Sequence, residues 1–180
     1  MSRYDYRGKT ALITGASSGI GEAFARHLVD RCERLILVTR ESQQIRDVAA
    51  RLQKQGQAHV VVMPADLSLP DAALTLARTC DQRGYQVDVL INNAGLGTFG
   101  RFHELPLEQE AHMVLLNARA VCDIAHAFLP GMVNRGQGVV INTASSAAIL
   151  PTPWFATYGA SKAFVLSLSE SLWALYRRNG

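Results

Sequence analysis

The chain has 180 residues, of which 48% are hydrophobic and 18% are charged, a composition typical of a globular protein and not of a disordered one. Its formal net charge is +3, and the basic residues are spread along the sequence instead of forming the patch that nucleic-acid-binding proteins carry. We therefore predict one domain over residues 1–180 that has no nucleic-acid partner.

Five short apolar runs, rich in β-branched residues, predict strands that are buried on both faces of a parallel sheet. The runs are KTALITG (9–15), RLILVTR (34–40), HVVVMPAD (59–66), VDVLINNAG (87–95) and GVVINTAS (138–145). Helical patterns occupy 21–31, 41–55 and 69–83, and longer ones run from about Pro106 to Asn134 and from about Phe155 to Arg178. This alternation predicts an α/β fold, a doubly wound parallel sheet with helices on both faces.

The first predicted strand runs into the glycine-rich turn TGASSGIG, Thr14 to Gly21, and a helix follows. Gly15 can take the tight turn, Gly19 allows the backbone to approach a phosphate, and Gly21 allows the helix to pack closely on the strand. The free N–H groups and the dipole of the helix N-terminus then attract an anion. The glycine spacing differs from that of a P-loop, so we predict binding of a dinucleotide pyrophosphate.

The end of the second predicted strand bears on which dinucleotide binds. A carboxylate there would accept hydrogen bonds from the ribose hydroxyls of NAD, but this strand ends in Thr39 and Arg40. Arg40 can pair with the 2′-phosphate of NADP, so the sequence favours NADP(H), with NAD(H) as the alternative. The other interpretation of Arg40 is a solvated charge paired with Glu41.

Three motifs in order along the chain resemble those of the short-chain dehydrogenase/reductase (SDR) family, in its short-subunit branch. They are TGASSGIG, NNAG at Asn92–Gly95 and YGASK at Tyr158–Lys162. The resemblance covers essentially the whole chain and implies a Rossmann-type NAD(P)-binding fold. It also implies oxidoreduction of an alcohol/carbonyl pair, as in a carbonyl reductase. The glycine spacing disfavours a nucleotide-sugar epimerase of the extended branch.

The resemblance assigns catalytic roles to Tyr158, Lys162, Ser145 and Asn117. The family's serine lies 13 residues before its tyrosine, which favours Ser145 over the neighbouring Ser146 (158 − 13 = 145). Asn117 matches the asparagine in the helix before the fifth strand.

The resemblance also assigns a cofactor-binding set. It comprises Gly15, Ser17, Ser18, Gly19, Ile20, Gly21, Arg40, Asp66, Leu67, Asn93, Ala94, Gly95, Tyr158 and Lys162. Within this set Asp66 is expected at the adenine, whereas Asn92 is interpreted as structural. Ser18 is a departure, because many NADP-preferring relatives carry a basic residue there, which leaves Arg40 to act alone.

Hydride transfer to a carbonyl builds negative charge on its oxygen, so a proton donor must stand beside that atom. A free tyrosine ionises only near pH ~10 and is a poor acid or base at neutral pH. Lys162 lies one helical turn after Tyr158 on the same face, so its ammonium favours the tyrosinate. Ser145 would bond the substrate oxygen. The resemblance adds that Lys162 holds the nicotinamide ribose and that Asn117 orders a water linking Lys162 to solvent.

The family fold continues after the helix of Tyr158 with a sixth strand, a substrate lid and a seventh strand, so we expect this fold to be C-terminally incomplete. The fifth strand would then be an open edge at Val139, Val140 and Ile141, and Leu166, Leu172 and Leu175 of the last helix would lose partners. The resemblance implies a homodimer or homotetramer formed through the helices at about 106–134 and 155–178. The alternative functions are a cofactor-binding sensor or scaffold without turnover, or a truncated fragment.

The segment between the predicted catalytic serine and tyrosine is apolar, ILPTPWFAT. Its residues Leu150, Thr152, Trp154 and Phe155 are candidate pocket walls for an apolar carbonyl or alcohol substrate. The five histidines show no metal-ligand spacing, so we predict no metal site and interpret them as surface or helix residues.

The remaining signals concern location. No apolar stretch of signal-peptide length precedes Gly15, so the sequence predicts no export signal. It also contains no run of 18 apolar residues, so it predicts no membrane span. The three cysteines are odd in number and far apart, which indicates reduced thiols. We expect a cytoplasmic protein without a membrane partner.

Overall fold

The computed structural model describes residues 4–40 and 42–178. The strands in this part are β1 (Thr10–Thr14), β2 (Arg34–Thr39), β3 (His59–Pro64), β4 (Val87–Asn92) and β5 (Val139–Asn142). Within the described residues they form one parallel sheet in the order β3-β2-β1-β4-β5. All five strands coincide with the predicted apolar runs.

The helices also occupy the predicted segments. They are α1 (Gly19–Leu28), α2 (Gln43–Gln55), α3 (Ala72–Gln82), α4 (Leu107–Val114), α5 (Ala120–Arg135) and α6 (Ala156–Tyr176). The predicted long helix is divided into α4 and α5 by a π-helical turn at Leu115–Arg119. Such turns break the regular hydrogen-bond ladder and are frequent at functional sites.

Successive residues of the central strands pack on opposite faces of the sheet, because side chains alternate along a strand. On one face Ile13 of β1 packs with Ile45 of α2. On the other face Leu12 packs with Leu76 of α3 and Ile124 of α5. Helices therefore cover both faces, and the predicted doubly wound sheet is confirmed.

The two outer strands differ from the inner ones. Every residue of β1 and β4 is buried, whereas most residues of β3 and all of β5 remain partly exposed. The prediction that all five runs are buried on both faces is wrong for β3 and β5, because an edge strand has a neighbour on one side only. The expected open edge of β5 is observed, and Val139, Val140 and Ile141 are half-buried there.

The apolar side chains of α6 become more exposed towards its C-terminal end. Leu166 and Leu172 are half-buried, whereas Leu175 is 69% exposed. The expected loss of packing partners on this helix is thus clearest at its C-terminal turn.

The helical run Leu107–Arg135 is long and apolar enough by length and composition to cross a membrane, with a mean hydropathy of 1.2. However, 44% of its most apolar stretch is buried inside the fold. Ile124 and Phe128 supply part of that buried surface by packing on the sheet. Because core helices pass the same test, the run does not by itself indicate a membrane span.

The order of the strands determines where a ligand can bind. β1 pairs with β2 on one side and with β4 on the other, so chain connections leave β1 in opposite directions. Ligands of open α/β sheets bind at such a switch point, outside the carboxyl ends of the strands. The glycine turn after β1 and the NNAG segment after β4 meet at this place.

Candidate active site

The glycine turn contains two glycines with left-handed backbone conformation and a third glycine that packs closely against the backbone of the first. Gly15 and Gly19 have φ values of +64° and +56°, a region that favours glycine. A Cβ on Gly21 would collide with the carbonyl oxygen of Gly15 and lie 2.6 Å from Nδ2 of Asn93. Gly21 therefore has the predicted packing role, underneath the turn and out of the cavity.

The segment after β4 is fastened to the end of β1 by Thr14. Its Oγ1 accepts hydrogen bonds from the N–H groups of Asn93 (2.9 Å) and Ala94 (3.0 Å). Nδ2 of Asn93 in turn donates to the carbonyls of Thr14 and Gly15, both at 3.2 Å. Asn92 is buried and donates to Oδ1 of Asn142 at 2.9 Å, which agrees with its predicted structural role.

The first turn of α1 is arranged to receive an anion. Ser18 is extended, and its side chain caps none of the described N–H groups of this helix. A Cβ on Gly19 would meet no described atom within 4 Å, so this backbone is openly approachable. The free N–H groups and the helix dipole thus face a cavity of about 940 Å³, a volume within the range of cofactor pockets.

The far end of this cavity carries Arg40, predicted to select the dinucleotide, and Asp66, predicted to contact the adenine. Arg40 is exposed in its wall. Asp66 lines the same wall, and its Oδ1 accepts hydrogen bonds from Oγ (2.6 Å) and N (3.0 Å) of Ser68. These bonds, the side-chain bond first, lower the pKa of Asp66 below its ordinary value. Glu41, the other suggested partner of Arg40, lies outside the described residues.

The opposite end of the cavity is formed by α6 and the loop after β5. Tyr158 and Lys162 lie one turn apart on α6, with Nζ of Lys162 5.9 Å from the centre of the Tyr158 ring. Lys162 is only 6% exposed, its Nζ donates to the carbonyl of Thr143 at 2.8 Å, and burial lowers its pKa. This lysine is therefore held in a fixed position beneath the tyrosine ring.

Ser145 begins a short 3₁₀ turn, Ser146–Ala148, and its Oγ accepts a hydrogen bond from the N–H of Ala147 at 3.2 Å. Because this bond uses the oxygen as an acceptor, the hydroxyl proton is left to donate. Ser145 lines the same cavity as Tyr158, whereas Ser146 is exposed and lines only a smaller cavity beside it. The geometry favours Ser145, as the spacing does.

Asn117 lies in the π-helical turn and is completely buried. Its side chain accepts from the N–H of Leu96 at 2.9 Å and donates to the carbonyl of Leu96 at 2.8 Å. Nδ2 also lies 3.1 Å from Oγ of Ser161, whose hydroxyl donates to the carbonyl of Tyr158 at 2.7 Å. Asn117 therefore ties the loop after β4 to the first turn of α6.

All the predicted catalytic and cofactor-binding residues except Gly21 and Asn117 line the 940 Å³ cavity. Of the four predicted pocket-wall residues, Phe155 lines it, and Leu150 and Thr152 line the smaller cavity beside it. Sequence reasoning missed several further wall residues, among them Thr39, Leu96, Gly97, His112, Leu116 and Thr143. His112 and Leu116 lie one turn apart on the helical run, which is a signal that could have found them. Thr143 contacts Lys162 through its main-chain carbonyl, for which the residue type gives no signal.

Among the described residues, no three His, Cys, Asp or Glu side chains come together as a metal site would require.

The family model described as short chain dehydrogenase matches residues 9–180. The chain belongs to the short-chain dehydrogenase family. It is 33% identical to a very-long-chain 3-oxoacyl-CoA reductase of Anas platyrhynchos over 177 residues, which cover 96% of this chain. The aligned part spans 56% of that reductase, so this chain matches about half of its length.

Two solved structures show the same fold. A metagenomic short-chain oxidoreductase in complex with NADP superposes with a TM-score of 0.91 at 32% identity, covering 98% of this chain and 80% of that one. The bulky-bulky ketone specific alcohol dehydrogenase from Comamonas testosteroni gives 0.88 at 33% identity, covering 96% and 69%. These shares agree with the expectation that the short-chain dehydrogenase fold is longer than this chain.

Proposed function

We propose that this chain is an NADP(H)-dependent oxidoreductase that interconverts a carbonyl and an alcohol. One observation carries the proposal: Tyr158, Lys162 and Ser145 line the same cavity as the glycine turn. An acid/base group, a cation and a hydroxyl donor thus stand at one end of a site whose other end suits a dinucleotide. Membership of the short-chain dehydrogenase family supports the same reaction.

The residues of the cavity fit a dinucleotide. The uncapped N-terminus of α1 would hold the pyrophosphate, and Asp66 would lie at the adenosine end. Arg40 lies in the cavity wall and would pair with a 2′-phosphate, which supports NADP(H) over NAD(H). The NADP bound in the metagenomic neighbour supports this preference. When bound, the nicotinamide supplies or accepts the hydride.

The residues of this chain would handle the proton and the charge. Tyr158 would donate a proton to the substrate oxygen during reduction and accept one during oxidation. Lys162, buried next to the ring, would stabilise the tyrosinate electrostatically. The hydroxyl of Ser145 would stabilise the negative charge that develops on the substrate oxygen.

Asn117 would act as a positioning residue. Its hydrogen bonds fix Leu96 and, through Ser161, the backbone of Tyr158. This arrangement holds the loop after β4 and the first turn of α6 at a constant separation. The resemblance-based role, ordering a water next to Lys162, remains a prediction.

The test is consumption of NADPH by the purified chain with a panel of apolar ketones. Turnover that requires a ketone supports the proposal, and NADPH binding without turnover supports instead a cofactor-binding sensor or scaffold. The same assay with NADH measures the cofactor preference. A chain that binds neither cofactor contradicts both functions.

The expected self-association has a surface to support it. Phe164, Trp173 and Leu175 of α6 and Leu107 of α4 are exposed apolar residues on the helices predicted to pair. We propose a cytoplasmic homodimer or homotetramer formed through these helices. Light scattering checks the assembly, since a well-behaved monomer contradicts it.

A further inference from the structure

A row of aromatic rings leads from the surface to the proposed catalytic tyrosine. The centre of the Phe99 ring lies 5.1 Å from that of Phe155 and 6.1 Å from that of Trp154. The Phe155 ring lies 5.9 Å from the ring of Tyr158. These separations are those of interacting aromatic pairs, so the rings form one continuous surface.

Two loops from different parts of the chain build this surface. Phe99 belongs to the loop after β4, and Trp154 belongs to the loop before α6. The N–H of Gly100 donates to the carbonyl of Trp154 at 3.0 Å, which ties the loops together. Trp154 has a φ of +71°, a region that an aromatic residue rarely adopts and that often marks a functional site. Arg101 lies over the Trp154 ring at 5.9 Å and braces it further.

The rings are open to solvent although they are held in place. Phe99 is 66% exposed and Trp154 is 49% exposed. Phe155, whose ring contacts that of Phe99, lines a cavity of about 400 Å³ that also includes Ser145 and Tyr158. The hydroxyls of Ser145 and Tyr158 are polar groups for the reacting oxygen, whereas Leu150 and Phe155 make part of the cavity wall apolar. An apolar group next to the reacting carbonyl would lie against Phe155, from which the ring surface continues to Phe99 and Trp154.

We propose that Phe99 and Trp154 form a binding platform for an aromatic ring attached to the substrate carbonyl, so that the enzyme selects aryl ketones and the corresponding alcohols. This proposal rests on the proposed carbonyl/alcohol reaction and specifies its substrate class. Aromatic rings gain from offset or edge-to-face stacking in addition to burial of apolar area. A saturated ring or an alkyl chain gains only from the burial.

The test compares two ketones that differ only in aromaticity, methyl phenyl ketone and methyl cyclohexyl ketone. We expect a higher kcat/KM for the phenyl compound. Phe99→Leu and Trp154→Leu keep an apolar side chain but remove the ring, so each should lower that preference by about 2- to 10-fold, the range of stacking effects. The affinity for NADPH should not change.

Phe102→Leu is the matched control, because Phe102 lies in the same region and is 65% exposed but belongs to no described ring pair of the row. This variant should retain the full preference for the phenyl ketone. If Phe99→Leu and Trp154→Leu lower kcat/KM equally for both ketones, the platform is overturned. The same holds if Phe102→Leu lowers the preference for the phenyl ketone as much as they do. Rescue of the preference by Phe99→Tyr supports stacking.

A binding measurement separates this proposal from the proposed reaction. The sequence has two tryptophans, so Trp173→Phe leaves Trp154 as the only one. We expect a saturable change in its emission with methyl phenyl carbinol and a weaker one with methyl cyclohexyl carbinol. That result without turnover of any ketone contradicts the proposed function but supports the platform. Turnover of ketones with no such change in emission overturns the platform and leaves the proposed function standing.

Discussion

The two ends of the cavity are built differently. At the cofactor end, the glycine turn and the NNAG segment are fixed by Thr14 and Asn93 above fully buried strands. At the substrate end, Phe99 and Leu150 are exposed, and the neighbouring strand β5 is a half-buried edge. The difference suggests that cofactor affinity and substrate turnover depend on separate groups, so that single substitutions should change one without the other.

The largest effect is expected at Tyr158. Tyr158→Phe removes the hydroxyl and should lower turnover by at least about 10²- to 10⁴-fold, the usual contribution of a general acid or base. NADPH affinity, measured by fluorescence titration, should stay nearly constant. Tyr176→Phe, the same change further along α6, should leave both quantities unaltered. Full activity of Tyr158→Phe would contradict the proposed mechanism.

The converse effect is expected at Arg40. Arg40→Ala should raise the Kd for NADPH by about 10- to 100-fold, because hydrogen bonds to charged groups contribute about 1.5–3 kcal/mol. The Kd for NADH should hardly change, since NADH has no 2′-phosphate. Arg31→Ala, another exposed arginine, controls for loss of surface charge. Equal effects on both cofactors would mean that Arg40 is only a charge at the strand end.

A third prediction concerns the rigidity of the cofactor end. Gly21→Ala places a methyl against the carbonyl of Gly15 and should lower the free energy of unfolding by about 1–3 kcal/mol, the usual cost of overpacking. Gly131→Ala in α5 would place its methyl 3.1 Å from Nη1 of Arg135, whose Nη2 donates to the carbonyl of Val87 at 2.7 Å. A small shift of that side chain would offset the gain in helix propensity, so the change in stability should be smaller than at Gly21. Urea unfolding of both variants measures the contrast. Equal stabilities would show that the turn can relax.

The smallest effect is a pH dependence at the substrate end. Burial lowers the pKa of Lys162 below its ordinary value of 10.5, so the folded protein holds this proton less tightly than the unfolded chain. As pH rises from the lowered pKa towards 10.5, the folded state loses the proton first and the cost of burying the charge disappears. We therefore compare the free energy of unfolding of the wild type with that of Lys162→Met. The difference, wild type minus variant, should increase with pH in this window. A difference that is flat or falls with pH contradicts the assignment.

The sequence predicted the cofactor end better than the substrate end. The roles of Gly15 and Gly21 follow from local chain geometry, which glycine spacing reports directly. The fixing of Lys162 by the carbonyl of Thr143 could not be predicted, because any residue offers the same carbonyl. The role of Phe99 could not be predicted either, because Phe99 lies 55 residues before Trp154 and contacts it only in the folded chain (154 − 99 = 55).

By itself, the sequence determined the succession of strands and helices, the glycine turn and the spacing of Ser145, Tyr158 and Lys162, because these depend on residues that are close along the chain. The tertiary structure decided which strands are edges, what Asn117 holds, and that rings from two distant loops form one surface beside Tyr158. Those features arise from contacts between distant segments. Hydrophobic periodicity records that a residue is apolar, but it does not record which residue will be its neighbour.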